Sequence, residues 1–375
     1  MRNIRIFYIA FCNEIGDEIL IGGIQNYIKS LHSVTSKAGY NCNIYQYGNT
    51  TFETVIENIS IHSLEYRNSN NVKKAMKFIF DKFSQGFEED DIIIWGSDTL
   101  AIPVKFENVI AIQHGITFDL IYYNNLRGLW RKNFFGKVYK QLQCLKARKS
   151  FQIPQKIVCV DYNYQNWVRT QLPRNLSDRI QVIPNYSIPS TELNINKVDK
   201  EKIKILFARR FSFERGMEIM FEVVETILNS HDDVEFTFCG DGPYKKSLIK
   251  KFGKFNQVTI TSFGIGESEV YNLSHHISLI PTYGSEGTSF SLLEAMACGT
   301  VPIASDVGGM TNIILNGFNG ILCKPNAKDF VQSIEYLLEN RSLLDVLSTN
   351  AYETVIGSFS YDIWGKRWID YLKQF

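Results

Sequence analysis

Two successive series of short apolar runs, each run followed by a helix-patterned stretch, dominate this chain of 375 residues. Parallel strands need a crossover connection, usually a helix, so this alternation predicts βαβ units and parallel sheets. The first series has runs at 4–10, 42–47, 91–95, 109–113, 156–160 and 180–183. Over 184–199 the pattern dissolves into Pro-Asn-Tyr-Ser-Ile-Pro-Ser and a polar tail, the composition of a linker. A second series follows at 203–208, 234–239, 258–263, 277–280, 301–304 and 321–323. The length also exceeds one ordinary core, so the expected class is α/β, with Rossmann-like domains at 1–187 and 188–359. Amphipathic segments at 328–339, 342–356 and 361–375 close the chain; residues 360–375, with Trp364 and Trp368 at i, i+4, are expected to pack back on the first domain.

Composition narrows the function classes. Hydrophobic residues at 45% and a net charge of +1 are those of a globular protein, not a disordered one. Seven scattered cysteines, with no C-x-x-C pair, fit neither a disulfide framework nor a zinc site and point to a reducing cytoplasm. The apolar start is cut short by Asn13, Glu14 and Asp17, and reads as a first strand, not a signal peptide or membrane span. Charge is uneven: 1–185 carries 22 Lys/Arg against 16 Asp/Glu, and 186–375 carries 18 against 23.

The densest chemistry lies at 281–302. A buried-looking run ends near Pro281, a polar loop carries Glu286 and Gly287, and a helix begins around Thr288 or Ser289, with Gly287, Thr288, Ser289 and Phe290 as ligand-binding candidates. Helix N-terminal amides are unpaired and the helix dipole favours negative charge, so a phosphate is well placed there. Glu286 and Glu294, eight residues apart, suit two ends of one elongated ligand as hydroxyl acceptors. Upstream, Arg209, Arg210 and Arg215 follow a strand; Arg210 and Arg215 are the candidate cations for an anionic ligand, while Arg209 reads as a solvated strand end.

The pattern Glu286-Gly287-x(6)-Glu294-Ala295-Met296-Ala297-x-Gly299-x-x-Pro302 resembles the E-x(7)-E signature of family four glycosyltransferases, which have the GT-B fold, two Rossmann-like domains facing a central cleft. The resemblance implies that Glu286 contacts the donor sugar and Glu294 the ribose. It implies that Arg210 and Arg215 grip the diphosphate, although the family shows Gly-Arg and Lys-Gly where this chain has Arg209-Arg210 and Arg215-Gly216. It adds Gly240, Gly242 and Pro243 as a turn bordering the nucleotide, Gly22 and Gly23 as a loop approaching the donor phosphates, and His114 near the donor sugar. Asn312 stands where a glutamate is commoner; Asp161 and Asn185 fall at strand ends near the cleft.

The expected activity is therefore retaining, metal-independent transfer of a hexose-type sugar from a nucleotide diphosphate donor, UDP-sugar before GDP-sugar, to a glycan or lipid-linked oligosaccharide. The resemblance places this in bacterial surface polysaccharide synthesis, such as O-antigen or capsule. The alternatives are a non-catalytic GT-B protein binding glycan or nucleotide and a GT-B nucleotide-sugar epimerase. No cofactor is expected, because the acidic run 88–91 reads as a solvated turn. Between Leu120 and Val160 there is no acidic residue, while Arg127, Arg131, Lys132, Lys137, Lys140, Lys146, Arg148 and Lys149 interleave with Trp130, Phe134, Phe135 and Tyr139. That segment, 127–149, predicts peripheral docking on the anionic inner face of the cytoplasmic membrane, and nucleic acid is not an expected partner.

Overall fold

A computed structural model of the protein describes residues 2–67, 71–116, 134–192, 201–262, 264, 267–284 and 286–375, with 134–137 as backbone only. The chain divides into two units, the first of Met1–His114, Tyr139–Ile183 and Trp364–Phe375, the second of Gly115–Val138 and Pro184–Ile363. The segment holding Arg127, Trp130, Arg131 and Lys132 lies outside the described residues.

In the first unit one sheet is built from β1 (Asn3–Phe7), β2 (Asn41–Gly48), β3 (Phe52–Ile56), β4 (Ile59–Glu65), β5 (Ile92–Trp95), β6 (Val109–Gln113), β7 (Lys156–Cys159) and β8 (Ile180–Val182). The strand order is β3-β4-β2-β1-β5-β6-β7-β8, and every pair except β3–β4 is parallel. The helices here are α1 (Gly23–Lys37), α2 (Val72–Phe83), α3 (Phe134–Phe151), α4 (Tyr162–Gln171) and α5 (Arg174–Ser177). β5 and β6 are buried at every position, as parallel strands covered on both faces must be. The β3–β4 hairpin is an addition to the sequence reading; Glu57 and Asn58 turn it with positive φ at both positions, the geometry that matches strand twist.

The acidic run before β5 corrects another expectation. Asp91 is fully buried, not solvated: Arg5 Nε donates to its carboxylate at 2.9 Å and Asn3 Nδ2 at 2.7 Å. The charge can be buried because it is paired and hydrogen-bonded.

The second unit contains β9 (Ile203–Ala208), α6 (Met217–Leu228), β10 (Val234–Cys239), α7 (Lys245–Phe252), β11 (Val258–Thr261), α8 (Ser268–Leu273), β12 (Ile277–Ile280), α9 (Phe290–Ala297), β13 (Val301–Ser305), β14 (Ile321–Cys323), α10 (Ala327–Glu339) and α11 (Leu343–Thr354). Its six strands run β11-β10-β9-β12-β13-β14, all parallel. The last helix, α12 (Tyr361–Leu372), enters the first unit at Trp364; there Trp368 Nε1 donates to Tyr27 Oη on α1 at 2.9 Å.

Both sheets grow outward in one direction from a first strand and then reverse. The reversal falls between β9 and β12 in the second unit and between β1 and β5 in the first. Loops leaving the carboxyl ends of the strands diverge there, and in open α/β sheets that crevice is where ligands bind.

Candidate functional site

The β9–β12 reversal gathers the charged residues singled out from the sequence. Along β9 the buried parity Ile203, Ile205, Phe207 continues to Arg209, which is only 8% exposed, while Lys204 and Arg210 face out. Arg209 is thus the inner cation, not a solvated strand end. Its Nη1 donates to Thr282 Oγ1 at 2.5 Å and its Nη2 to Glu286 Oε1 at 3.2 Å. Arg215 pairs with the other carboxylate oxygen, Oε2, toward which Thr282 Oγ1 also donates at 3.4 Å. Burial lowers the Arg209 pKa to about 10 against the pull of Glu294. Burial, then the neighbouring Arg209, lowers Arg215 to about 9, so both remain cations at neutral pH. Arg210 is exposed and makes no ion pair among the described residues.

The Glu286 loop is held by backbone on two sides. On one, Tyr283 N–H donates to Glu214 O at 3.2 Å, the Phe213 and Tyr283 rings stack at 4.8 Å, and a Cβ on Gly216 would lie 2.0 Å from Pro281 O. On the other, Gly309 N–H donates to Glu286 O at 2.9 Å. Gly308 has φ +54°, and a Cβ there would meet Glu286 O at 1.9 Å, so only glycine fits. The turn Gly240-Asp241-Gly242-Pro243 braces the arginine loop: Phe211 N–H donates to Asp241 O at 2.8 Å and Tyr244 N–H to Phe211 O at 3.1 Å. A Cβ on Gly240 would sit 2.2 Å from Arg209 O.

Helix α9 follows directly. Ser289 occupies its N-cap position but makes no side-chain capping bond, so the first-turn amides keep their donor capacity. Gly287, Thr288 and Ser289 are buried, and Phe290 meets Tyr186 edge-on at 5.7 Å. Asn185 Nδ2 donates to Thr288 O at 2.6 Å, while its buried Oδ1 has no partner among the described residues. Leu292, Leu293 and Met296 anchor α9 against Ile280, Ala304 and Met310, each buried side chain stabilising by about 1.5–3 kcal/mol. Glu294 takes the remaining face; burial raises its pKa to about 7, partly offset by the Ser268 hydroxyl and by Arg209. Asn312 is exposed at the end of the short turn that starts at Gly308.

The first unit's reversal is differently furnished. After β1, Gln46 Oε1 accepts from Phe11 N–H at 2.8 Å and Cys12 N–H at 3.0 Å, shaping the loop that ends in Gly22 and Gly23 at the start of α1. His114, at the end of β6, donates Nε2–H to Gly96 O at 2.8 Å, its ring edge-on to Tyr27 at 5.2 Å. Burial lowers the His114 pKa to about 4, so the ring is neutral. Asp161 is the N-cap of α4, accepting from Tyr164 N–H at 3.0 Å.

Two groups escaped the sequence reading. Thr282 and Asp98 each follow a strand of a reversal, β12 and β5, and that position was the available signal. The Asp98 carboxyl is pushed up to about 6 by burial. Among the described residues one carboxylate group, Glu88, Asp90 and Asp91, has metal-ligand spacing, but Asp91 is already engaged by Arg5 and Asn3.

Comparison with known proteins places this arrangement. Residues 190–354 match the family described as glycosyl transferases group 1. The chain is 31% identical over 201 residues to an uncharacterized glycosyltransferase of Methanocaldococcus jannaschii, covering 53% of this chain and 54% of that one. It spans about half the length of such curated relatives. Among solved structures it resembles a sucrose-phosphate synthase from Thermosynechococcus elongatus, with TM-score 0.77 at 15% identity over 100% of this chain and 99% of that one. It also resembles Anabaena HepE in complex with UDP, with TM-score 0.73 at 14% identity over 100% of both chains. Residues 190–354 thus match glycosyl transferases group 1, and the fold of the chain is that of GT-B glycosyltransferases.

Proposed function

We propose that the protein is a retaining glycosyltransferase that moves a hexose-type sugar from a nucleotide diphosphate, UDP-sugar before GDP-sugar, to a glycan or lipid-linked acceptor. One observation carries the reading: at the β9–β12 reversal a single carboxylate, Glu286, is gripped by two guanidinium groups beside the uncapped start of α9. Such a site suits a ligand that is anionic at one end and hydroxylated at the other. UDP, as held by the similar Anabaena HepE, has this character.

In the reaction the acceptor oxygen bonds to the anomeric carbon as the bond from that carbon to the phosphate oxygen breaks. The electron pair leaves with the diphosphate, which also receives the acceptor's hydroxyl proton. Arg210, Arg215 and the amides at Thr288 and Ser289 stabilise the charge that builds on the diphosphate, the task a divalent cation performs elsewhere. Glu286 orients the sugar and Glu294 the ribose. Both Glu286 oxygens already hold a cation, which makes it a poor nucleophile and favours attack from the leaving-group face, with retention. The neutral His114 and the Gly22-Gly23 loop are the first unit's candidates for ligand contact, and within the second unit the turn at Gly240, Gly242 and Pro243 borders the nucleotide.

The test is turnover of a UDP-sugar panel with and without glycan and lipid-linked acceptors. Release of UDP that depends on acceptor, and its loss in Glu286→Ala, is the expected result. Free nucleotide and altered sugar without acceptor indicates an epimerase, and binding without turnover a non-catalytic GT-B protein; either replaces the reading.

The basic segment adds a membrane-facing role. On α3, Tyr139, Leu142 and Leu145 are 39%, 57% and 48% exposed, among Lys140, Lys146 and Lys149. Exposed apolar groups flanked by lysines suit an anionic bilayer surface. No helix among the described residues is long and apolar enough to cross a membrane. Flotation with anionic but not neutral liposomes is expected, and equal flotation of a Lys140→Ser/Lys146→Ser/Lys149→Ser variant overturns the role.

A further inference from the structure

The signature that points to Glu286 and Glu294 gives the Arg209 side chain no task. Its surroundings do. The guanidinium is buried at the end of β9 and spans two elements, holding Thr282 after β12 and Glu286 in the loop before α9. It also lies close enough to Glu294, inside α9, for each to shift the other's charge equilibrium. One cation therefore bears on both glutamates of the signature, through a hydrogen bond to Glu286 and through its charge on Glu294. A glycine could do neither job: it offers no donor to Glu286 and no charge to Glu294.

We propose that Arg209 is a positioning residue of the donor site, fixing the Glu286 carboxylate against Thr282 for the sugar and placing a positive charge that favours the anionic form of Glu294 for the ribose. The proposal rests on the glycosyltransferase reading above. Arginine is suited to it because its planar fork reaches two partners at once, whereas lysine is a point charge. With Arg209 holding Oε1 and Arg215 Oε2, the Glu286 carboxylate is fixed in one orientation, and the exposed Arg210 remains available to phosphate. The groups that face Glu294 are the Ser268 hydroxyl from α8 and Arg209 from the end of β9, so loss of Arg209 removes the cation that favours its charged form.

The experiment compares wild type, Arg209→Met and Arg209→Lys, each checked for native circular dichroism, by calorimetric titration with UDP and with UDP-glucose from pH 5.5 to 9. Donor turnover is measured in parallel. Wild type is expected to bind with a pH midpoint near 7, the range to which burial brings Glu294. In Arg209→Met the midpoint moves upward, because ionised Glu294 is now harder to form, and kcat falls on the order of 100-fold with a smaller change in KM. Arg209→Lys restores the midpoint, which needs only a charge, but not kcat, which needs the fork. A merely structural arginine would move neither the midpoint nor its rescue by lysine. If the midpoint is the same in wild type and Arg209→Met and turnover agrees within twofold, the positioning role is wrong. If wild type binds neither probe nor any other nucleotide sugar, the donor-site reading itself has failed, a result the variants cannot mimic.

Discussion

The two sheet reversals share a topology and differ in everything else. At β9–β12 the groups are Arg209, Arg210, Arg215, Glu286 and Glu294, and the loops are clamped backbone to backbone through Gly216, Gly308 and Gly309. At the first unit's reversal the groups are the Asp98 carboxyl after β5, a neutral His114 at the end of β6, and Gly22, where an added Cβ would meet the Gln25 side-chain oxygen at 2.2 Å. Strand order fixes where a ligand crevice lies, but the side chains at the strand ends decide its chemistry. A rigid, cationic crevice suits a diphosphate whose charge must be stabilised in one place, whereas a carboxyl beside a neutral imidazole suits hydroxyl groups. The comparison can be broken at the rigid side first.

Gly308→Ala is expected to be the most damaging small substitution. An alanine at φ +54° costs about 1–2 kcal/mol by itself, and its Cβ would overlap the Glu286 carbonyl, which belongs to backbone that cannot step aside. A total loss of about 4 kcal/mol in urea unfolding, with loss of UDP-glucose binding, is the expected outcome. A loss under about 1 kcal/mol would show that the Glu286 loop is not clamped there.

How far this was legible from the sequence follows from which signals are local. Apolar runs located twelve of the strands, and Glu286, Glu294 and the start of α9 stood out by spacing. The β3–β4 hairpin was missed because its turn, Glu57-Asn58, lacks the glycine that usually announces one, although Phe52–Ile56 does alternate in burial. Asp91 was misread because its partners Arg5 and Asn3 lie on β1, far away in sequence. Arg209 is the more instructive case. Its parity with Ile203, Ile205 and Phe207 pointed inward, but a charge at a buried parity reads as an exposed strand end until its partners, Thr282 and Glu286, are known. Pairing across 70-odd residues is a property of the fold and has no local trace.

The next test sharpens the contrast through pH, because the two crevices are expected to lose stability in opposite directions. Glu294 titrates near 7 in the folded chain against an ordinary 4.5, so its burial costs nothing below pH 4.5 and progressively more as pH rises through 7. Glu294→Gln should therefore stabilise the unliganded protein by up to about 3 kcal/mol at pH 8 and leave it unchanged at pH 4. His114 titrates near 4 against 6.5, so its cost appears as pH falls from 6.5 to 4. His114→Gln should make the protein less acid-labile by about 2 kcal/mol at pH 4, after allowing for the lost packing against Tyr27, with no gain at pH 8. Chemical unfolding of both variants at pH 4 and 8 decides it, and parallel rather than crossed pH responses would undo the contrast.

The smallest effect belongs to Gly22→Ala. The backbone there is extended at φ 179°, which any residue adopts, and the atom an added methyl would strike is the Oε1 of Gln25, the far end of a flexible side chain. Turning that amide away loses one hydrogen bond, from Gln25 Nε2 to Ala10 O at 3.0 Å, so the cost in thermal unfolding should not exceed about 1 kcal/mol. Donor binding, which the proposed function assigns to the charged crevice, should stay within a few-fold of wild type. A collapse of UDP-glucose affinity in Gly22→Ala would overturn the assignment of donor binding to the charged crevice alone.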